Sequence, residues 1–273
     1  MISAVLATYN EEQNIGKCLE SVRSFADEIV VVDGSSEDRT RDIAKKFGAK
    51  VIKTINRPMF HINKQMAIDA AKGEWILQLD ADERVSKRLA REITAISKKA
   101  SRYAAFAIPR KNLFLGRWLR KGGQYPDPVI RFFKRGKARL PQKSVHEQME
   151  VKGKIGQLRG HLIHHTAPTF ERYMTNANRY TSLTAENLQR RGVKMNAISS
   201  INFLVAKPLV TFLTLYIRHK GFLDGFPGFV FALFSGLHWP IAFMKYWELE
   251  RINKKQETRN KEQGTRNGKQ EAW

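Results

Sequence analysis

Residues 28–34, EIVVVDG, set three Val in a row ahead of an Asp and a Gly. A half-buried strand alternates apolar and polar residues, whereas an unbroken β-branched run suits a strand covered on both faces. Such a strand needs helices on either side, and the flanking sequence supplies them. Upstream, SAVLAT (3–8) is a short apolar run, and EEQNIGKCLESVRSF (11–25) puts Ile15, Cys18, Leu19 and Val22 at helical spacing. Downstream, SEDRTRDIAKKFG (36–48) reads as a helix closed by Gly48, KVIKT (50–54) as a strand, HINKQMAIDAAKG (61–73) as a helix closed by Gly73, and WILQLDAD (75–82) as a fourth strand. The order βαβαβαβ predicts an α/β fold with a mostly parallel sheet flanked by helices.

From about residue 103 the pattern changes to shorter strands joined by Gly/Pro loops, read as an insertion or edge-strand subdomain, followed by a helix over 170–191. The last third is apolar and aromatic. Segment 198–217 is interrupted by Lys207 and Pro208; segment 226–244 carries no formal charge but contains Pro227, Gly228, Gly236 and Pro240. Each is borderline for a spanning helix, which needs about 20 apolar residues. Internal breakers, with Arg218, Lys220, Trp239, Lys245, Tyr246 and Trp247 at the edges, fit helices lying in a membrane interface. The polar, aperiodic tail 251–273 is expected to be disordered. The expected division is 1–110, 111–195, 196–250 as a membrane-association segment, and the tail.

The charge asks for a partner. Lys and Arg number 48 against 26 acids, a formal net charge of +22. Residues 84–160 hold 21 Lys/Arg and four acids. Such a surface suits an anionic membrane, a phosphorylated substrate or nucleic acid. A single Cys excludes an internal disulfide, and the opening MISAVLATYNEE lacks a basic leader, so a reducing, cytoplasmic setting is expected.

In a parallel α/β sheet, ligands bind beyond the carboxyl ends of the strands. Thr8, Tyr9, Asn10 and Glu11 follow the first strand, Asp33, Gly34 and Ser35 the second, and Asp80, Ala81 and Asp82 the fourth. Three polar clusters from separate strands on one edge are hard to explain as helix capping. In extended chain, Asp80 and Asp82 face one side together. Two carboxylates there suit Mg²⁺ or Mn²⁺, hard ions that share oxygen ligands with substrate phosphates. Asp33 suits a base N–H or ribose hydroxyl, and Tyr9 offers a face for stacking. Neither GxGxxG nor GxxxxGK[ST] is present, which removes dinucleotide-binding and P-loop readings.

ATYNEEQNIGKCLESV, EIVVVDGSSEDRT and GEWILQLDADE resemble, in order and spacing, the nucleotide-sugar half of family 2 glycosyltransferases, the inverting GT-A type. The likeness covers residues 2 to about 110. It implies that Thr8, Tyr9, Glu11 and Asp33 hold the nucleotide. It also makes Asp80 and Asp82 a DxD pair, with Asp82 the more direct metal ligand and Asp80 nearer the ribose and diphosphate; Glu83 then becomes the N-terminal acid of the next helix. GGQYPDPVIRFFKRG, SVHEQME, GHLIHHT and the ending KPLVTFLTLYIRHKGFLDGFPGFVFAL look like the lipopolysaccharide-core β-glucosyltransferase subgroup. That likeness implies UDP-glucose as donor and a lipid-linked or lipopolysaccharide inner-core glycan as acceptor, at the cytoplasmic face of the plasma membrane.

Inverting transfer needs a general base for the acceptor hydroxyl. The acids between 84 and 160 are Glu92, Asp127, Glu147 and Glu150. Glu147 in SVHE stands where the family has its acceptor-side acid, and Asp127, between two prolines, is the alternative. Arg131 is the candidate for the donor diphosphate. His161, His164 and His165 lie in a strand-like stretch without a Cys or acid at zinc spacing. A sugar-1-phosphate nucleotidyltransferase would need a glycine-rich basic N-terminal loop, which TYNEEQN is not. A nucleic-acid-binding or other non-enzymatic anionic-surface protein leaves the strand-end acids unexplained, so no nucleic acid is expected as a partner.

Overall fold

The computed structural model describes residues 1–57, 59–141 and 148–270. Its chain divides into two compact units: Met1–Leu113 with Gln124–Thr166, and Phe114–Gly123 with Ala167–Trp273.

The first unit is built on the expected alternation. β1 (Ile2–Thr8), α1 (Ile15–Val22), β2 (Glu28–Asp33), α2 (Thr40–Lys46), β3 (Lys50–Lys53), α3 (Phe60–Asp69) and β4 (Trp75–Leu79) follow in order. β3, β2, β1 and β4 lie side by side and parallel, with Thr8 opposite Asp33 and Leu6 opposite Leu79. Alternation of the side chains shows why the Val run is unbroken. Val31, Ala4, Leu6, Leu77 and Leu79 enter one core with α1, while Val30, Val32, Val5 and Ile76 enter a second core with α3. Each fully buried Val contributes about 2 kcal/mol, and both faces collect it.

The later strands do not form a separate subdomain; most extend the same sheet. They are β5 (Glu83–Val85), β6 (Ala105–Phe114), β7 (Arg117–Trp118), β8 (Asp127–Lys134), β9 (Ala138–Arg139), β10 (Glu150–Val151), β11 (Ile155–Gln157) and β12 (Leu162–Ala167), with α4 (Lys87–Ser97) after β5. β8 runs antiparallel to β4 and β6 antiparallel to β8, so the sheet is parallel on one side and mixed on the other. Its strand order is β3-β2-β1-β4-β8-β6-β12-β5, and β9 with β10 makes a small separate ribbon. Trp75 stacks on Phe132 at 4.7 Å across the β4–β8 junction, so burial of large aromatics seals the change of direction.

The second unit contains α5 (Phe170–Arg190), a helix over Ala197–Arg218 with π-type turns at Asn202–Ala206 and Thr214–Arg218, and a long helix Gly225–Gln270. α5 packs along the long helix through Ala185, Leu188, Phe243 and Tyr246. The two C-terminal helices approach closely at Gly236, where a Cβ would lie 2.8 Å from the Pro208 carbonyl oxygen. The long helix runs on to Gln270.

Candidate active site

The sheet brings the three strand-end clusters to one edge. Asp33, at the end of β2, is fully buried. Its Oδ1 accepts the Ser36 N–H at 2.9 Å and Arg41 Nη1 at 3.4 Å; its Oδ2 accepts Ser36 Oγ at 2.6 Å and Thr8 Oγ1 at 3.2 Å. Asp33 and Thr8 thus clasp one another and the turn after β2. The helices flanking this edge begin later than their periodicity suggests, because Asn10, Ser36 and Asp38 bind loop backbone instead. Asn10 and Ser35 hold left-handed backbone, φ 52° and 66°, a strained conformation that collects at binding loops. Tyr9 is 41% exposed, with its ring open to stacking, and Glu11 Oε2 accepts Asn14 Nδ2 at 2.8 Å.

Beyond β4 the structure departs from the extended reading of DAD. The strand ends at Leu79, and residues 80–83 turn, closed by Glu83 N–H to the Asp80 carbonyl at 2.9 Å. Asp80 and Asp82 therefore meet different partners. Asp80 pairs through Oδ1 with Lys64 of α3 and through Oδ2 with Arg131 of β8 at 2.5 Å. Burial pushes its carboxyl up, but the cations Arg131 and Lys64 outweigh burial and hold it well below the usual carboxylate range. Asp82 Oδ2 lies 3.4 Å from His164 Nε2, across from β12.

Glu83 is not the helix-terminal acid expected for it. The next helix begins at Lys87 and is capped by Ser86, whose Oγ accepts the Leu89 N–H. Glu83 belongs to β5, which pairs antiparallel with β12, and this pairing carries its side chain inward to full burial. There it accepts the Asp80 N–H at 2.9 Å and meets Arg131 at 3.3 Å and Arg110 at 3.6 Å. The signal for this was present: Leu89 and Ile93 set the helical apolar spacing only after Ser86.

Arg131 is buried. Its Nη1 donates to Gln78 Oε1 and its Nη2 to Asp80 and Glu83. Burial works against its charge, and Asp80 and Glu83 more than restore it. Arg131 accordingly holds the Asp80 and Glu83 carboxylates in place. Arg110 continues the alternation: Nη2 and Nε donate to Asp127 Oδ2 at 2.6 and 3.0 Å, where Asn112 Nδ2 also donates at 3.1 Å. All three contacts fall on Oδ2 of this base candidate. Asn112 Oδ1 faces His164 Nδ1 at 2.8 Å; since Asn112 Nδ2 donates to Asp127 and Gln124, Nδ1 carries a hydrogen and Nε2 points to Asp82. Burial lowers the His164 pKa, but the hydrogen bond and charge of Asp82, with Glu83, raise it overall. Lys64, Arg110, Asn112 and His164 were not singled out as donor-site residues from sequence. Base candidate Glu147, with His146, lies outside the described residues. Glu92 holds the Arg159 and Gly160 N–H groups at 2.9 and 3.0 Å, a clamp on the chain before β12.

Ligand atoms about 2.1 Å from an octahedral ion sit about 3 Å apart. Asp82 Oδ2 and His164 Nε2, at 3.4 Å, fit a shared divalent cation with little movement. Asp80, with Lys64 and Arg131 on its two oxygens, fits that role only if Lys64 gives way. Among the described residues no group of three or more His, Cys, Asp or Glu is placed to hold a metal ion by itself.

The model of glycosyl transferase family 2 matches residues 3–160. The chain is 30% identical to an uncharacterized glycosyltransferase of Rickettsia typhi, over 93% of this chain and 87% of that one. It is 28% identical to the lipopolysaccharide core biosynthesis glycosyltransferase LpsC of Rhizobium meliloti, over 87% and 88% respectively. Among solved structures, the mannosyltransferase PcManGT of Pyrobaculum calidifontis, in complex with GDP-Man and Mn²⁺, shares the fold with a TM-score of 0.52 at 14% identity, covering 90% of this chain and 86% of that one.

Proposed function

The chain belongs to glycosyl transferase family 2, and from that premise we propose that it transfers a hexose, glucose from UDP-glucose, to the inner core of a lipopolysaccharide. The acceptor is membrane-anchored, and the enzyme works at the cytoplasmic face of the plasma membrane with residues 196–250 on its anionic surface. The relative named for lipopolysaccharide core biosynthesis supports the acceptor class. The observation that carries the reading is Asp82 beside His164 at the edge shared by Thr8, Asp33 and Asp80.

In this reading Tyr9 stacks on the base, while Thr8, Glu11 and Asp33 shape the loop that receives the nucleoside. Asp80, fixed by Arg131 and Lys64, faces the ribose and diphosphate. Asp82 with His164 would hold Mg²⁺ or Mn²⁺, and an ion bound there would supply positive charge for the leaving diphosphate. The Glu147 carboxylate takes the proton of the acceptor hydroxyl, whose oxygen attacks the anomeric carbon opposite the leaving diphosphate and inverts it. Asp127 is the second candidate, restricted to its Oδ1 because Oδ2 already accepts from Arg110 and Asn112.

Thermal melting tests the donor half. UDP with Mn²⁺ at a hundred times Kd stabilises a binding protein by about 2.7 kcal/mol, and Asp82→Ala should abolish that gain while melting normally by itself. A melting curve indifferent to UDP and metal in the native protein would sink the transferase reading. Glu147→Gln should keep the UDP shift and lose transfer; turnover surviving in that variant moves the base to Asp127.

A further inference from the structure

The helix Ala197–Arg218 is long enough to cross a bilayer, about 33 Å at 1.5 Å per residue. Only 6% of its apolar stretch is buried against the rest of the protein. Its outward face runs through Ile198, Ile201, Val205, Leu209, Val210 and Ile217, each more than half exposed. The charge inside the segment does not interrupt that face. Lys207 turns inward, its Nζ 3.9 Å from the Phe203 ring centre and 4.3 Å from that of Trp239. Cations flank the stripe instead: Arg191 and Lys194 before it, Arg218 and Lys220 after it, with no Asp or Glu anywhere from 191 to 223.

We propose that this face is a one-leaflet membrane insertion surface, with the helix lying in the plane of an anionic bilayer and not crossing it. Charge selects the occupant: an apolar stripe with cations at both ends complements acyl chains bordered by anionic headgroups. A second copy seated on the same face would set basic ends against basic ends, in either direction.

The tethers at the helix ends select the orientation. At the far end, His219 O accepts the Gly122 N–H at 3.0 Å, Asp224 accepts the Lys121 N–H at 2.7 Å, and Arg117 Nη2 donates to Leu223 O at 3.1 Å. Segment 114–123 leaves the sheet unit at Leu113 and re-enters it at Gln124. Five residues out and five back reach at most about 17 Å, short of a hydrocarbon core about 30 Å thick. At the near end the chain arrives through α5, whose Glu171, Arg172, Arg179, Glu186 and Arg190 suit water. Val193, just after it, is held by Tyr246 Oη at 2.6 Å. Both ends therefore stay in water on one side of the bilayer. The stripe can enter only from there.

This deepens the membrane location proposed above and rests on it, but its readouts are independent of sugar transfer. Full-length protein is co-sedimented with phosphatidylcholine vesicles with and without phosphatidylglycerol. Binding should require the anionic lipid, and Val205→Glu with Leu209→Glu should weaken it by about tenfold or more without lowering the melting temperature. Orientation is read with Phe222→Cys, since the native Cys18 is buried. A membrane-impermeant maleimide added outside should label this thiol fully on bound protein. Protection until the vesicles are permeabilised would mean a spanning helix and overturn the proposal. So would failure to bind anionic vesicles accompanied by a concentration-dependent dimer.

Discussion

The two units each accommodate a cation away from the surface that faces a ligand, and they do it in opposite ways. In the sheet unit Arg131 is enclosed by Asp80, Glu83 and the Gln78 amide. In the helical unit Lys207 is turned onto the faces of Phe203 and Trp239. The first arrangement gathers full charges in a low-dielectric place, where they are costly unless mutually satisfied. What it gains is a fixed geometry for acids that face a ligand. The second needs no anion, so the surface outside it stays free of charge. The proposed metal and diphosphate site tolerates the first solution; the proposed lipid-facing surface requires the second.

The sharpest way to break the comparison is to remove the Arg131 head. Arg131→Leu leaves the buried Glu83 and the half-buried Asp80 without their shared counter-charge, which should cost about 3–5 kcal/mol in urea unfolding. Loss of UDP binding should accompany it even at temperatures where the variant is folded, because Asp80 loses its orientation. If Arg131→Leu folds with native stability, Arg131 is a ligand-binding cation, and the distinction between the two units dissolves.

The difference also explains what was legible in the sequence. β1 to β4 declared themselves because covering both faces of a strand leaves a continuous apolar run, as in EIVVVDG, and the strand-end acids follow from that topology. The roles within the acidic stretch did not. Glu83 differs from Asp80 and Asp82 only through β5 pairing with β12, a contact spanning about eighty residues that no local pattern encodes. His164 meets Asp82 for the same reason, so a histidine without zinc spacing still stands at the metal-competent carboxylate. The antiparallel strands read as an insertion because their apolar runs are short and Gly/Pro-flanked; only register with β4 shows that they continue the sheet. In the helical unit, Lys207 looked like a breaker of the apolar run, and sequence alone gives no sign that rings receive it.

Lys207→Ala tests the second solution at smaller cost. Losing the aromatic contact should remove about 1 kcal/mol from stability, and Lys207→Met should restore most of it by filling the same space. Vesicle binding should stay unchanged in both, since Lys207 does not face the lipid. A Lys207→Ala variant that folds normally but no longer binds anionic vesicles would mean that the ammonium reaches headgroups. The outward face would then not be the charge-free surface that the contrast with Arg131 depends on.

The smallest expected effect belongs to Glu92, an acid outside both arrangements. Burial raises its carboxyl pKa, but the N–H groups of Gly160 and Arg159, with Arg88, outweigh it and hold the group below its ordinary value of 4.5. A depressed carboxylate contributes stability above its unfolded pKa and loses it as pH falls through the folded one. Glu92→Ala should therefore cost about 0.5–1 kcal/mol at neutral pH. The deficit should shrink as the pH is lowered below about 4.5, read from urea midpoints across that range. Turnover should match that of the native protein, because Glu92 spends its oxygens on the chain leading into β12 and so keeps His164 in register with Asp82 only indirectly. Were Glu92→Ala to abolish transfer while leaving stability and the UDP shift intact, the proton would be leaving through α4. The base assignment would then pass from the YPD and SVHE stretches to an acid whose hydrogen bonds mark it as a clamp.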